Sequence, residues 1–349
     1  MLPASDNHME RRRPKVEAKK LGPLLPEEVI NHTWCIEEEI SAGAFGAVYK
    51  AFDLVKGNYV AIKASKTLEN SKRSHIRWEA KVYEQFKGSS HCPKMIAYDV
   101  NTTPHFLVLE LLGPSLSYLV KRLKSKALPK GIVAAIIKQC LGAIKDLHNA
   151  CFIHRDVKPS NFAVGSGSNR SKIYIIDFGL CRKYCHEKEC PFSERFDVGF
   201  RGTVRYASTR AHFKKDLCRA DDLTSLFYMA YELLAGQLPW KHKSDTNVIL
   251  SMKLKLPPTT MAEALDVNFK LFAEHLNYTS EPNYEMIEAL LVNVMQEDNV
   301  DENTLFGWEH LLKKEERKIS KHKQNCKEIE EQCARKAACA GEEEMGDEK

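Results

Sequence analysis

The sequence predicts an α+β fold of two unequal lobes, a small β-rich one followed by a larger helical one, and three observations lead there. Short runs rich in β-branched and aromatic residues, broken by Gly and Asn turns, fill the stretch from Trp34 to Leu111. After Gly113 and Pro114 the apolar spacing changes to the helical period. At 349 residues and 43% hydrophobic composition, the chain is long enough for about two domains or one bilobal unit with a substantial core. Collagenous and wholly disordered classes are excluded on the same grounds.

Residues 1–33 are polar, dotted with Pro3, Pro14, Pro23 and Pro26, and carry the basic run Arg11, Arg12, Arg13, Lys15. Without apolar periodicity they are read as a flexible leader. Strands follow over 34–40, 47–52, 58–64 and 106–111, interrupted by one helix from about Ser71 to Phe86, capped by Asn70 or Ser71 and stopped at Gly88. Val133, Ile136, Ile137, Cys140, Leu141, Ile144 and Leu147 keep to one helical stripe. Residues 222–236 are apolar almost all round, so that helix belongs inside the core, where Asp222 must find donors. The folded unit is thus 34–312, its lobes meeting near 111–112 with a ligand crevice between them. Residues 313–349 hold ten basic and ten acidic side chains and no sustained heptad, as in a solvated helix or disordered tail.

A net charge of +5, without aromatic residues interleaved in the basic run, does not point to nucleic acid. No apolar run is long enough for a membrane helix, and Met1 to Lys20 lacks a signal-peptide stretch. The expectation is a cytoplasmic monomer without membrane insertion, with the run at Arg11 as a second, nuclear reading. Eleven cysteines with no Cys-x-x-Cys pair are expected as free thiols. Cys181, Cys185, His186 and Cys190 lie within ten residues, but their spacing matches no standard zinc site.

Four signals carry chemistry. Ser41, Ala42, Gly43, Ala44, Phe45, Gly46 and Val48 span a small-residue turn whose backbone can approach phosphates, although such turns are common in hairpins. Lys63 ends the apolar run Val60-Ala61-Ile62-Lys63, and Glu79 falls on the inward stripe of Ile76, Ala80 and Tyr83. Lys63 could snorkel out and Glu79 could mark the edge of the stripe. Buried, each needs the other. Downstream stand His154-Arg155-Asp156-Val157-Lys158-Pro159-Ser160-Asn161 and Asp177-Phe178-Gly179.

In this order and spacing, these motifs resemble the protein kinase signature over about Trp34 to Leu312. A finer resemblance is to the casein kinase 1 superfamily, most closely its tau-tubulin kinase branch. It rests on Leu112-Gly113-Pro114-Ser115-Leu116, Phe200-Arg201-Gly202-Thr203-Val204-Arg205-Tyr206-Ala207-Ser208, Asp221-Asp222 with Ser225 and Tyr228, Gly236 to Trp240, and Phe306 to Glu309. The resemblance implies a bilobal serine/threonine kinase using ATP and Mg²⁺ on protein substrates. Lys63 would hold the α- and β-phosphates with Glu79 orienting it, Asn161 and Asp177 would ligate metal, Asp156 would receive the substrate proton, and Lys158 would face the transferring phosphoryl group. The phosphate loop from Ser41 to Gly46, together with Val48, Ala61, Leu109, Glu110 and Leu112, would form the rest of the nucleotide site, Leu109 guarding its back. Asp222 would anchor the His-Arg-Asp backbone.

Thr203, Arg201 and Arg205 are the substrate-side candidates. Lys214 and Lys215 are expected to converge with the two arginines, favouring acidic or pre-phosphorylated substrates unless these cations merely pair with Asp197 or Asp216. Ser41 departs from the usual first glycine, and Thr209-Arg210 from the usual residues of the platform. A pseudokinase scaffold is the alternative, but it would lack Lys63, Asp156 or Asp177. The superfamily also implies activity without loop phosphorylation, for which Tyr184 and Ser193 are the evident acceptors.

Overall fold

The computed structural model describes residues 23–43, 46–66, 74–123, 125–186, 192–195, 198–276, 281–301 and 308–312. Its first lobe is an antiparallel sheet of six strands, β1 (Val29–Ile30), β2 (Trp34–Ala42), β3 (Gly46–Asp53), β4 (Asn58–Ser65), β5 (Met95–Asp99) and β6 (Phe106–Glu110), in the order β1-β2-β3-β4-β6-β5. Pairing sets Val48 opposite Lys63, and Ala61 and Lys63 opposite Leu109 and Leu107. Because side chains alternate along a strand, Val48, Ala61, Lys63 and Leu109 share one face. The other face buries Tyr49, Ala51, Val60, Ile62 and Val108 in the lobe's own apolar cluster.

That cluster includes Leu24 and Ile30, and the Leu24 N–H donates to the Tyr49 hydroxyl at 3.3 Å. The folded lobe therefore starts ahead of Trp34, inside the stretch expected to be leader, because two apolar residues suffice to cover the sheet edge. The helix α1 (His75–Phe86) also starts later than expected, after extended Ser74, whose hydroxyl bonds His105 Nδ1 at 2.8 Å instead of capping. Asn70 and Ser71 lie outside the described residues.

The second lobe is built on α3 (Lys130–Asn149) and α5 (Arg219–Ala235), preceded by α2 (Leu116–Arg122) and covered by α4 (Thr209–His212), α6 (Thr246–Lys255), α7 (Pro258–Ala262), α8 (Val267–Glu274) and α9 (Tyr284–Glu297). Two short pairs, β7 (Phe152–Ile153) with β10 (Arg182–Lys183) and β8 (Phe162–Val164) with β9 (Ile173–Ile175), hold the intervening loops. As its pattern requires, α5 is buried nearly all round from Ala220 to Ala230, while its last turn is partly exposed, and it ends at left-handed Gly236. Asp245 caps α6 by accepting from the Asn247 and Val248 N–H groups.

One apolar cluster joins the lobes, running from Ile76 and Tyr83 of α1 through Phe178 to α3 and α5. Phe178 is fully buried, edge-on to Tyr83 and Phe86 at 4.6 and 5.5 Å, and such burial is worth about 2 to 3 kcal/mol. The position of α1 is thereby tied to the residue after Asp177. Among the described residues no helix is long and apolar enough to cross a membrane.

Candidate active site

Strand β4 delivers Lys63 to the cleft face, and α1 delivers Glu79 to the same point. Lys63 Nζ lies 2.7 Å from Glu79 Oε2 and 2.8 Å from Asp177 Oδ1. Glu79 Oε1 accepts from the Phe178 N–H at 3.1 Å, so one carboxylate fixes both the lysine and the turn after β9. Burial alone would lower the Lys63 ammonium, but Glu79 and Asp177 outweigh it and hold the group above its usual value. Lys63 in turn holds Asp177 down to about 2 against the effect of burial, so this carboxylate is ionised throughout the neutral range. Burial pushes Glu79 up, and Lys63 opposes it.

Asp177 and Arg155 both sit in the left-handed region at φ 67°, a conformation that costs a non-glycine residue about 1 kcal/mol or more. The surroundings impose it. Arg155 Nε donates to the Leu180 carbonyl at 2.7 Å, and Asp222 accepts from the backbone N–H groups of His154 and Arg155 at 2.7 and 2.8 Å and from His148 Nε2 at 2.9 Å. Thus the buried carboxylate on the apolar helix anchors the His-Arg-Asp backbone, as expected. Burial keeps His148 neutral by lowering its pKa.

At the loop's centre, Asp156 Oδ1 accepts from Thr203 Oγ1 at 2.7 Å and Oδ2 from Lys158 Nζ at 2.6 Å. Lys158 also donates to Thr203 Oγ1 at 2.9 Å, and Asn161 Nδ2 donates to the Asp156 carbonyl at 2.9 Å. Gly202 permits this closure. At φ 96° its Cβ would stand 2.5 Å from the Arg155 carbonyl oxygen.

In the first lobe, the β2–β3 turn is closed by the Gly43 N–H on the Gly46 carbonyl at 2.8 Å, with Ser41 opposite Val48 and Ala42 opposite Ala47. Ala44 and Phe45 lie outside the described residues. Val48, Ala61 and Leu109 line the cleft face of the sheet, leading to half-buried Leu112. The Glu110 side chain turns away to accept from the Lys94 N–H at 2.8 Å.

In the second lobe a groove of about 680 Å³ is lined by Lys121, Lys126, Lys158, Arg205, Lys241 and Lys243, with Glu232 the carboxylate among its walls. The four cations expected to converge do not. Arg201 lines a separate pocket with Arg155, Arg182 and Arg195, whereas Arg205 lines the groove, and between them Gly202 takes a left-handed φ of 96°. Lys214 and Lys215 are exposed beyond the groove. Asp216 pairs with Arg182 and Arg195, and Asp197 lies outside the described residues. The unusual Arg210 braces the platform, donating to Glu194 Oε1 at 2.7 Å and to the Asp216 carbonyl at 2.8 Å.

Sequence reasoning missed two side chains. Trp78 Nε1 of α1 donates to the Cys181 carbonyl at 3.0 Å, and Lys253 of α6 lies under residues 204–207. Both looked like ordinary helix-surface residues. As for the soft-ligand cluster, Cys181 belongs to the main core, Cys185 to a small cluster with Cys151 and Tyr184, and His186 stacks on Phe192 at 4.6 Å. Cys190 lies outside the described residues, among which no group of three His, Cys, Asp or Glu side chains could hold a metal.

The family model described as protein kinase domain matches residues 34–300. A probable serine/threonine-protein kinase of Dictyostelium discoideum is 34% identical over 285 residues, 80% of this chain and 57% of that protein. A Caenorhabditis elegans casein kinase I-like protein is 34% identical over 241 residues, 67% of this chain and 69% of that protein. The serine/threonine-protein kinase spe-6 of the same organism is 28% identical over 312 residues, 86% of this chain and 82% of that protein. The chain thus spans little more than half the length of the Dictyostelium relative.

Proposed function

Because the chain belongs to the protein kinase domain family, we propose that it transfers the γ-phosphoryl group of ATP to serine and threonine hydroxyls of proteins, as a casein kinase 1 superfamily member nearest the tau-tubulin kinase branch. The observation that carries this reading is that the structure assembles both an Asp156–Lys158–Thr203 cluster and a Lys63–Glu79–Asp177 triad, with every bond in both within hydrogen-bond range.

The apolar face of Val48, Ala61 and Leu109 suits an adenine ring. Lys63, preset by Glu79, exchanges its Asp177 contact for phosphate oxygens. The triad holds two carboxylates against one ammonium, and Asn161 keeps its Oδ1 as an acceptor because its Nδ2 is committed to Asp156. Two protein oxygens of this kind fit Mg²⁺, which takes most of its remaining ligands from phosphate and water. Asp177 and Asn161 would hold the ion, and when bound it neutralises phosphate oxygens that repel an attacking hydroxyl. Asp156, held at both oxygens by Thr203 and Lys158, orients that hydroxyl and accepts its proton. Lys158, beside it, places positive charge where the transferring group gathers negative charge. The hydroxyl oxygen bonds to the γ-phosphorus as the bond to the β-bridging oxygen breaks and ADP leaves.

The surplus of lysines lining the groove supports a preference for substrates with an acidic or phosphorylated residue ahead of the target hydroxyl, Arg205 gripping it. Activity without loop phosphorylation is supported by the intact Lys63–Glu79 pair. Of the two acceptors, the Tyr184 hydroxyl is buried on the His148 carbonyl at 3.0 Å, whereas Ser193 is exposed.

The test is phosphate incorporation from labelled ATP with Mg²⁺ into a peptide library, wild type beside Asp156→Asn. We expect serine and threonine products and a loss of about a hundredfold or more in the variant, the scale of losing such transition-state support. Equal incorporation by both proteins rules the assignment out.

A further inference from the structure

Lys253 is 1% exposed, yet among the described residues it meets no carboxylate. Its Nζ donates to the Val204 carbonyl at 2.7 Å and the Ala207 carbonyl at 2.6 Å, and lies 3.3 Å from His212 Nε2. The ammonium also stands 5.2 and 5.1 Å from the ring centres of Tyr228 and Trp240. All three donors are thus used, with carbonyl dipoles and ring faces in place of a counter-ion. A buried ammonium without a partner charge is disfavoured, and burial lowers this one to about 7. Lys255, two residues on, keeps its own ammonium in water at no such cost.

The captured carbonyls flank Arg205 on either side. The Arg205 carbonyl itself accepts from Trp240 Nε1 at 2.8 Å, so α6 and the end of the α5–α6 connection together hold three carbonyls of the four residues 204–207. The Arg205 guanidinium, by contrast, stays 41% exposed, 3.8 Å from Glu232 Oε1, 3.4 Å from the Lys241 carbonyl and bonded to the Tyr206 hydroxyl. Its backbone is pegged and its head still reaches solvent. Thr203, one residue before the clamp, has a different anchor in Asp156 and Lys158.

We propose that Lys253 is a positioning residue for substrate choice, which with Trp240 clamps the 204–207 backbone so that Arg205 is presented to an acidic or phosphorylated group in the groove. The inference rests on the acidic-substrate reading given above. Losing the clamp frees the Arg205 backbone but leaves Thr203 and the reacting centre tethered, so the damage falls on recognition of the anion more than on phosphoryl transfer.

The experiment uses the full chain and two serine peptides differing only in a phosphoserine or an alanine a few positions before the target. Wild type should favour the phosphopeptide in kcat/KM. Lys253→Met fills the same space without donors, and should lower that preference about tenfold through KM for the phosphopeptide, with KM for ATP unchanged. Arg205→Ala should lower it similarly, and the double variant no further, because both act on one contact. An equal fall on both peptides, or a wild-type preference in Lys253→Met alongside a collapse in Arg205→Ala, overturns the clamp and leaves the acidic-substrate reading standing. A wild-type preference near one overturns that reading and the clamp's role with it. If Lys253→Met does not melt cooperatively, Trp240→Phe, which removes the bond to the Arg205 carbonyl and keeps a ring, decides the same question. An undiminished preference there refutes the proposal.

Discussion

Lys63, 16% exposed on the cleft face of the sheet, and Lys253, 1% exposed on α6, are both largely withdrawn from water, and they are stabilised in opposite ways. Lys63 lies between two carboxylates and is held charged above its ordinary range, whereas Lys253 lies against two carbonyls and two aromatic rings and is pulled down to about 7. The wall around Lys63, the nucleotide wall of the proposed function, is thus an arrangement of full charges in which Asp177 and a phosphate would take turns at the same ammonium. The platform wall is an arrangement of dipoles, in which the lysine fixes backbone and has no free donor for a ligand. A cation meant to exchange partners is given charged ones, and a cation meant to hold shape is given the main chain.

The strongest way to break this comparison is to remove each lysine in turn. Lys63→Met should lower activity about a hundredfold or more. It also leaves Glu79 buried without its partner, at a cost of about 3 to 5 kcal/mol in stability, measured by chemical denaturation. Lys253→Met strands no opposite charge. It relieves the burial of an ammonium while leaving two carbonyls unbonded, effects of similar size, so stability should change by less than about 2 kcal/mol. Equal destabilisation by the two changes would mean that the counter-ion makes no difference.

Arg205→Glu sharpens the comparison at the ligand end. It reverses charge at the groove and should lower kcat/KM for an acidic peptide by about tenfold or more, since one charge-assisted contact is worth about 1.5 to 3 kcal/mol, with a smaller loss on a neutral peptide. Equal losses on both would show that Arg205 supports the platform's fold instead of reading the substrate.

The two walls also differ in how much of them was legible. Lys63, Glu79 and Asp177 are charges on or at the end of apolar runs, which alone left Lys63 free to snorkel and Glu79 free to mark an edge, and it is their order and spacing with the compact Asp156 motif that made them legible. Lys253 sits in Met252-Lys253-Leu254-Lys255 at the basic end of α6, where one lysine reads like the other. Only the tertiary path of 204–207 distinguishes them. The separation of Arg201 from Arg205 was hidden for a similar reason, because four residues of sequence cannot reveal that Gly202 between them takes a left-handed φ or that the two side chains line different pockets. The strand β1 was illegible because two residues in a Pro-broken stretch carry no period, though Leu24 and Ile30 pack well once the sheet exists.

The smallest effect separates the walls by pH. His212 of α4 accepts from Lys253 and stacks edge-on against Phe200, and burial together with the neighbouring ammonium holds it down to about 4. An unfolded histidine takes up its proton near 6.5, so between about pH 6.5 and 4 the unfolded chain binds a proton that the folded chain does not. Stability should fall as pH falls through that window, by about 1 to 2 kcal/mol for a partly buried group. Lys253 adds a second window of the same sign. Its folded value near 7 lies below the unfolded value near 10.5, so its penalty is full below pH 7 and is relieved as pH rises between the two. Asp177, held down to about 2, contributes stability that is lost only as pH falls below about 4, outside both windows, and Glu79, pushed up by burial, acts alike in wild type and Lys253→Met. Denaturation midpoints of wild type and Lys253→Met, taken from pH 4 to 10, isolate the platform as a difference. The variant should lose the alkaline slope and show a shallower acid one, because His212 no longer faces a cation. Parallel profiles for the two proteins would mean that Lys253 and His212 do not share their environment as the 3.3 Å contact requires.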